Sequence, residues 1–232
     1  MIVRDPSKVY LATSTENFST SIPGTRIDDQ IETDGAIAGV NAGAFYDNGT
    51  SDPSVGSVPE GLVYSKGVCK WTTGSPPNGI KGFAGFNKDN ILVVAQDNLT
   101  KAQAEELNIR DGCCFGPVLI MNGEINQEAY NSNSGWNPRT AIGQRKDGAV
   151  VFVCIDGRQA GSAGGTYKDV IDIMIEYGVV NACNMDGGSS SIMVYRDTYG
   201  LFGEAGTVQV INSYSLLQER PRKMPTFWMV AP

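Results

Sequence analysis

Two aspartates stand where an apolar stretch stops and a glycine-rich turn begins. One is in Asp156-Gly157-Arg158, after the run 150–155, and the other is in Asp186-Gly187-Gly188-Ser189, after the run 179–185. Two carboxyl groups brought to one place can divide the work of breaking a glycosidic bond. One protonates the leaving oxygen, and the other stabilises or attacks the cation that develops at the sugar C1. Arg139 and Arg158 add planar forks of donors that match a phosphate. Gly161, Gly164 and Gly165 lie just ahead of a predicted helix, and a glycine-rich loop with a helix amino terminus can offer backbone N–H groups to an anion. An anion cradle beside a carboxylate pair suits a glycosyl phosphate. Taken singly, each residue has an ordinary reading as a turn residue bonded to its own backbone or, for Arg158, as half of a structural salt bridge. An ordinary set of turns does not require all of them together.

The absence of histidine narrows the chemistry. No Ser-His-Asp triad or Cys-His pair can form, and zinc sites built on imidazole are excluded. Acid–base work falls to Asp, Glu, Tyr, Lys or Cys. The five cysteines form no C-x-x-C pair. Cys154 and Cys183 lie inside the two apolar runs and read as buried small hydrophobes. No cofactor is required by this chemistry. A metal, if held, would be bound by oxygen ligands and suit calcium, with Asp47, Asp52 and Asp156 as its candidates. The 18 Lys and Arg against 25 Asp and Glu leave a net charge of −7 with no basic run, so nucleic acid is not an expected partner. No apolar run reaches membrane length and no signal peptide is visible. The chain could begin at its first residue or be the C-terminal part of a longer anchored chain. The sequence carries no indication of oligomeric state.

For the two aspartates to work together, the elements around them must deliver them to one edge. The runs 150–155 and 179–185 read as strands. Between them 166–177 reads as a helix, capped by Thr166 with Asp169 in the reciprocal position, with Val170, Ile171, Met174 and Tyr177 on one face and Gly178 as its stop. A strand–helix–strand unit of this length predicts parallel strands with a right-handed crossover. Both aspartates then lie at carboxyl ends of strands, where open α/β sheets bind ligands. If those strands are neighbours, they stand roughly 5 Å apart. Further strands are predicted at 9–12, 36–41, 61–64, 68–71, 83–86, 91–95, 115–121, 192–195, 208–211 and 227–230. Short helices are expected near 26–32 and over 100–107, with Thr100 and Gln103 forming a capping box. A long surface loop is expected over 47–59. The expected architecture is α+β, a single domain over 1–232 with a mixed, mostly antiparallel sheet, one βαβ unit and few helices.

Five segments in order resemble the phosphodiester glycosidase family, in its bacterial or phage branch. They are Asn41-Ala42-Gly43-Ala44-Phe45-Tyr46, Phe115-Gly116-Pro117-Val118-Leu119 with Asn122-Gly123, Asn137-Pro138-Arg139-Thr140-Ala141-Ile142-Gly143, Asp156-Gly157-Arg158, and Asn181-Ala182-Cys183-Asn184-Met185-Asp186-Gly187-Gly188-Ser189-Ser190. The chain departs from the pattern at Ala42 and Ala44, near positions where the family often has glycine, and at Ser189, which replaces a third glycine. These changes bear on the pocket more than on the fold. The resemblance implies hydrolysis of a sugar-1-phosphodiester at its C1–O bond, leaving a phosphomonoester. It implies a phosphate-linked sugar or envelope glycopolymer as substrate, and a place outside the cell or in its envelope. In that reading Asp156 and Asp186 are the acid/base or nucleophile candidates, Arg139 and Arg158 bind phosphate, and Asn41, Thr140, Gly187, Gly188 and Ser189 contact the substrate. Two alternatives stay open: a non-catalytic glycan-binding module of an envelope or phage structure, with Tyr46, Trp71 and Trp136 as stacking platforms, and an ordinary O-glycosidase with no phosphate role.

Overall fold

The runs Val150–Ile155 and Val179–Met185 lack polar alternation, which is the pattern of strands covered on both faces. The computed structural model describes residues 1–46, 55–73, 81–213 and 220–232. In it both runs are inner strands of a six-stranded sheet, ordered Ile2–Val3, Val150–Ile155, Arg139–Arg145, Val179–Met185, Val118–Met121 and Glu124–Ile125. One face carries Ala141, Val151, Val153 and Ala182, and the helix Tyr167–Glu176 buries Val170, Ile171 and Met174 against it. The opposite face carries Ile142, Phe152, Cys183 and Met185, which enter the central core. Alternation of side chains along a strand assigns the two faces.

Two five-stranded sheets close that core. One is ordered Val208–Val210, Met193–Arg196, Ala38–Asn41, Thr226–Val230 and Val9–Thr13. Its outer face is covered by the helix Ile27–Asp34 through Ile27 and Ile31, packed with Val194, Phe227 and Met229. The other is ordered Val68–Thr72, Leu62–Ser65, Ile109–Cys114, Phe83–Asn87 and Leu92–Ala95, with Ala104 of the helix Lys101–Glu106 packed beside Phe83 and Ile109. The expected capping boxes are present at Thr100–Gln103 and Thr166–Asp169. Among the described residues, no helix is long and apolar enough to cross a membrane.

The α+β class and the mostly antiparallel character hold. Four details differ from expectation. The strands bearing the two aspartates are parallel in direction but not neighbours, because Arg139–Arg145 lies between them and pairs antiparallel with both. Their backbones are therefore two strand spacings apart, on the order of 10 Å. Second, the centre of one five-stranded sheet, Ile109–Cys114, went unread because Arg110, Asp111 and Gly112 interrupt its apolar pattern. The Arg110 guanidinium spans Asp111, the Val9 and Pro6 carbonyls and Asn90, so these charges are structural. Third, the short helix Gln127–Tyr130 was not expected. Finally, of the surface loop expected over 47–59, residues 47–54 lie outside the described residues, and Gly56, Ser57 and Pro59 are buried, as is the adjoining Glu60. The Glu60 N–H donates to the Ala44 carbonyl, and Gly56 lies against the Lys223 backbone.

Candidate active site

The core of the site is a tie across two sheets. Asn41, fully buried at the end of Ala38–Asn41, donates from Nδ2 to the Asp186 carbonyl at 2.6 Å. Its Oδ1 accepts from Thr140 Oγ1 at 2.7 Å and from the Ile192 N–H at 3.2 Å. The Asp186 N–H donates to the Ala42 carbonyl. Asn41 and Thr140 thus turn their polar groups onto the protein and fix the place where the chain leaves its strand at Asp186. Beyond it the Gly187 N–H donates to Asp186 Oδ1 at 2.9 Å, and Gly188–Ser190 makes one 3-10 turn whose first N–H reaches the Pro138 carbonyl.

Asp156, Arg158, Gly188 and Ser189 share one cleft, whose walls also include Pro138, Ser191 and Ser213. Asp156 is held by two donors, Asn212 Nδ2 on Oδ1 at 3.0 Å and the Ser213 N–H on Oδ2 at 3.1 Å. Arg158 is exposed, sits at φ +58°, and donates from Nη2 to Asn137 Oδ1 at 2.8 Å. Cys154 lies two residues before Asp156. Burial, with the Asp156 charge adding to it, pushes its thiol up to about 12, which leaves it no thiolate for nucleophilic work at neutral pH. Of the calcium candidates, Asp47 and Asp52 lie outside the described residues, and Asp156 faces Asn212 and Ser213. Among the described residues no group of three His, Cys, Asp or Glu side chains could hold a metal.

Arg139 is placed differently from Arg158. It is buried, with Nε on the Gly165 carbonyl and Nη2 on the carbonyls of Ser134 and Gly135, and its guanidinium lies 4.3 Å over the Tyr167 ring. Burial lowers its pKa, Tyr167 opposes, and the charge of nearby Arg158 adds a smaller push downward. Most of its donor fork therefore serves the protein. The expected anion cradle at the helix start is likewise occupied from within. The Gly165 N–H reaches Asn137 O, Thr166 N–H reaches Asp169 Oδ2, Tyr167 N–H reaches Ser134 Oγ and Asp169 N–H reaches Thr166 Oγ1. A helix end satisfied by its own cap and by a neighbouring loop has little left for a ligand.

Two site residues were missed. Asn212 bridges Asp156 to the Ser191 carbonyl and accepts from the Met193 N–H. It follows the predicted strand 208–211, so the rule that found the aspartates, a polar residue where an apolar strand stops, would have found it. Arg222 donates from Nη1 to Ser189 Oγ at 3.1 Å and stacks 4.9 Å over Phe45. It lies in a proline-rich stretch far from the motifs, and nothing local in the sequence marks it. Of the stacking candidates, Trp71 is half-buried edge-on to Phe18, whereas Tyr46 and Trp136 are exposed.

The close approach of three turns gives a first prediction. A Cβ on Gly157 would stand 2.7 Å from Pro138 N and 2.8 Å from Gly164 Cα, both backbone atoms that cannot step aside. Gly157→Ala is expected to cost about 1–3 kcal/mol in urea unfolding. Gly161→Ala in the same loop, where a Cβ meets nothing within 4 Å, is expected to leave the midpoint unchanged.

The family model for phosphodiester glycosidase matches residues 34–231. The SPbeta prophage-derived uncharacterized protein YomE of Bacillus subtilis (strain 168) is 46% identical over 93 residues, which is 39% of this chain and 14% of that protein. The match thus spans a small part of that relative's length. Among solved structures, the zebrafish N-acetylglucosamine-1-phosphodiester alpha-N-acetylglucosaminidase catalytic domain, auto-inhibited by its pro-peptide, aligns with a TM-score of 0.72 at 19% identity, over 98% of this chain and 74% of that one. A hypothetical protein from Synechocystis aligns with a TM-score of 0.66 at 14% identity, over 100% of this chain and 57% of that one. At such identities the structural likeness speaks for the fold.

Proposed function

Because this chain belongs to the phosphodiester glycosidase family, we propose that it hydrolyses a sugar-1-phosphodiester at the C1–O bond. The observation that carries this reading is the single cleft lined by Asp156, Arg158, Gly188 and Ser189, with Asp186 held at the start of the same turn. In the reaction, water supplies the oxygen that ends on C1, and the departing phosphate leaves as a monoester. One carboxyl group of the Asp156–Asp186 pair protonates the leaving oxygen and the other meets the charge that develops at C1.

Arg158 holds the phosphate, and Arg222 steadies Ser189 through its hydroxyl. Arg139 acts one step back by fixing the loop that Arg158 leans on through Asn137. Asn41 and Thr140 position the Asp186 turn. The relative in a bacterial prophage and the sugar named for the zebrafish structure favour an N-acetylglucosamine phosphodiester in an envelope glycopolymer or glycoconjugate. A substrate of that kind would put the protein in the cell envelope or outside the cell.

The test is hydrolysis of an α-N-acetylglucosamine-1-phosphodiester, followed by release of the phosphomonoester, beside an uncharged aryl α-N-acetylglucosaminide. Turnover of the phosphodiester is expected. Arg158→Ala should lower kcat/KM on it by about 10- to 100-fold and leave any activity on the aryl glycoside unchanged. Equal loss on both would remove the phosphate role, and tight binding without turnover would favour the glycan-binding module.

A further inference from the structure

Trp136 has 68% of its surface exposed, whereas Trp228 is fully buried and Trp71 half-buried. Its ring is mostly open to solvent, yet the backbone on either side is held firmly. The Ser134 and Gly135 carbonyls both accept from Arg139 Nη2, and Asn137 exchanges two backbone hydrogen bonds with Gly165. Asn137 Nδ2 also reaches back to the Ser134 carbonyl. The main chain that carries the indole is thus held at a set place.

That place adjoins the cleft. Asn137, the next residue, takes the Arg158 guanidinium on its Oδ1, and Pro138 lines the cleft, but Trp136 itself does not. A flat apolar ring with an N–H at its edge can stack on the apolar face of a pyranose, and a backbone already ordered on both sides of it lowers the freedom lost on doing so. We infer that Trp136 is a saccharide-stacking subsite outside the cleft, filled by a sugar ring that the substrate carries beyond the scissile linkage. The inference rests on the proposed hydrolysis at the cleft. The extra ring can belong to the sugar side or to the phosphate side of the linkage, and the chemistry at the indole is the same.

The experiment uses three phosphodiesters of N-acetylglucosamine C1 with wild type, Trp136→Ala and Trp136→Phe. One carries a methyl group on the phosphate, the second extends the sugar to a tetrasaccharide, and the third esterifies the phosphate to a hydroxyl of another sugar. Trp136→Ala is expected to raise KM by about tenfold on one extended substrate, with the methyl ester unchanged and Trp136→Phe close to wild type. Whichever substrate responds identifies the side. Equal effects on short and extended substrates, or none, would overturn the inference. If wild type cleaves none of the three, the proposed hydrolysis fails on its own account. Calorimetric titration with the same uncleaved phosphodiesters then decides the subsite. Binding of an extended compound that Trp136→Ala weakens and Trp136→Phe keeps supports it. No binding, or binding indifferent to Trp136, removes it.

Discussion

Asp186→Asn is expected to lower kcat/KM on the phosphodiester by about 10²- to 10⁴-fold, with an unfolding midpoint close to wild type. The asparagine has the same shape and keeps an oxygen for the Gly187 N–H that now reaches Asp186 Oδ1. The main-chain links of Asp186, its N–H to Ala42 O and its carbonyl to Asn41, do not depend on the side chain. What is lost is a carboxylate that can carry charge or a proton. Steady-state hydrolysis together with a thermal melt separates the two effects. Full activity in the variant would take Asp186 out of the chemistry and leave it as a turn former.

Asn41→Ala should show the reverse balance, with stability falling first. It leaves the Asp186 carbonyl, the Ile192 N–H and the Thr140 hydroxyl without their partner in a fully buried place. At roughly 1–3 kcal/mol for each stranded group, partly relieved by relaxation, the loss is about 3–4 kcal/mol. For a chain of this size that corresponds to a fall in Tm of about 10 °C. Thr140→Val removes one of the three bonds and should cost about 1 kcal/mol. Differential scanning calorimetry checks both. An Asn41→Ala protein as stable as wild type, yet inactive, would mean that Asn41 meets the substrate rather than the turn.

The parts of this molecule that could be read in the sequence are those written locally. Asp156 ends an unbroken apolar run and Asp186 a largely apolar one, and the capping boxes at Thr100 and Thr166 lie within four residues. The five ordered motifs were enough to reach the family. What stayed hidden depends on which distant pieces meet. Nothing near Asp156 says that Arg139–Arg145 will lie between its strand and that of Asp186. Arg139 stands out as a motif residue, but the carbonyls of Ser134, Gly135 and Gly165 that claim its donors become neighbours only when the loops fold together. Arg222 reaches Ser189 from a stretch with no pattern of its own. Asn212 is the exception, since it too is a polar residue standing where an apolar strand stops.

The Asn41 tie joins residues 99, 145 and 151 positions apart in the chain. Closing loops of that length surrenders chain entropy before any contact is gained, so pairings of this kind form slowly. Hairpins such as Arg139–Arg145 with Val150–Ile155 can assemble earlier, on their own, and still have no working cleft between them. Maturation of the site is therefore a late event that coincides with completion of the topology. A contiguous fragment around 137–191 lacks the complete candidate site, because the asparagine that seats Asp186 comes from position 41.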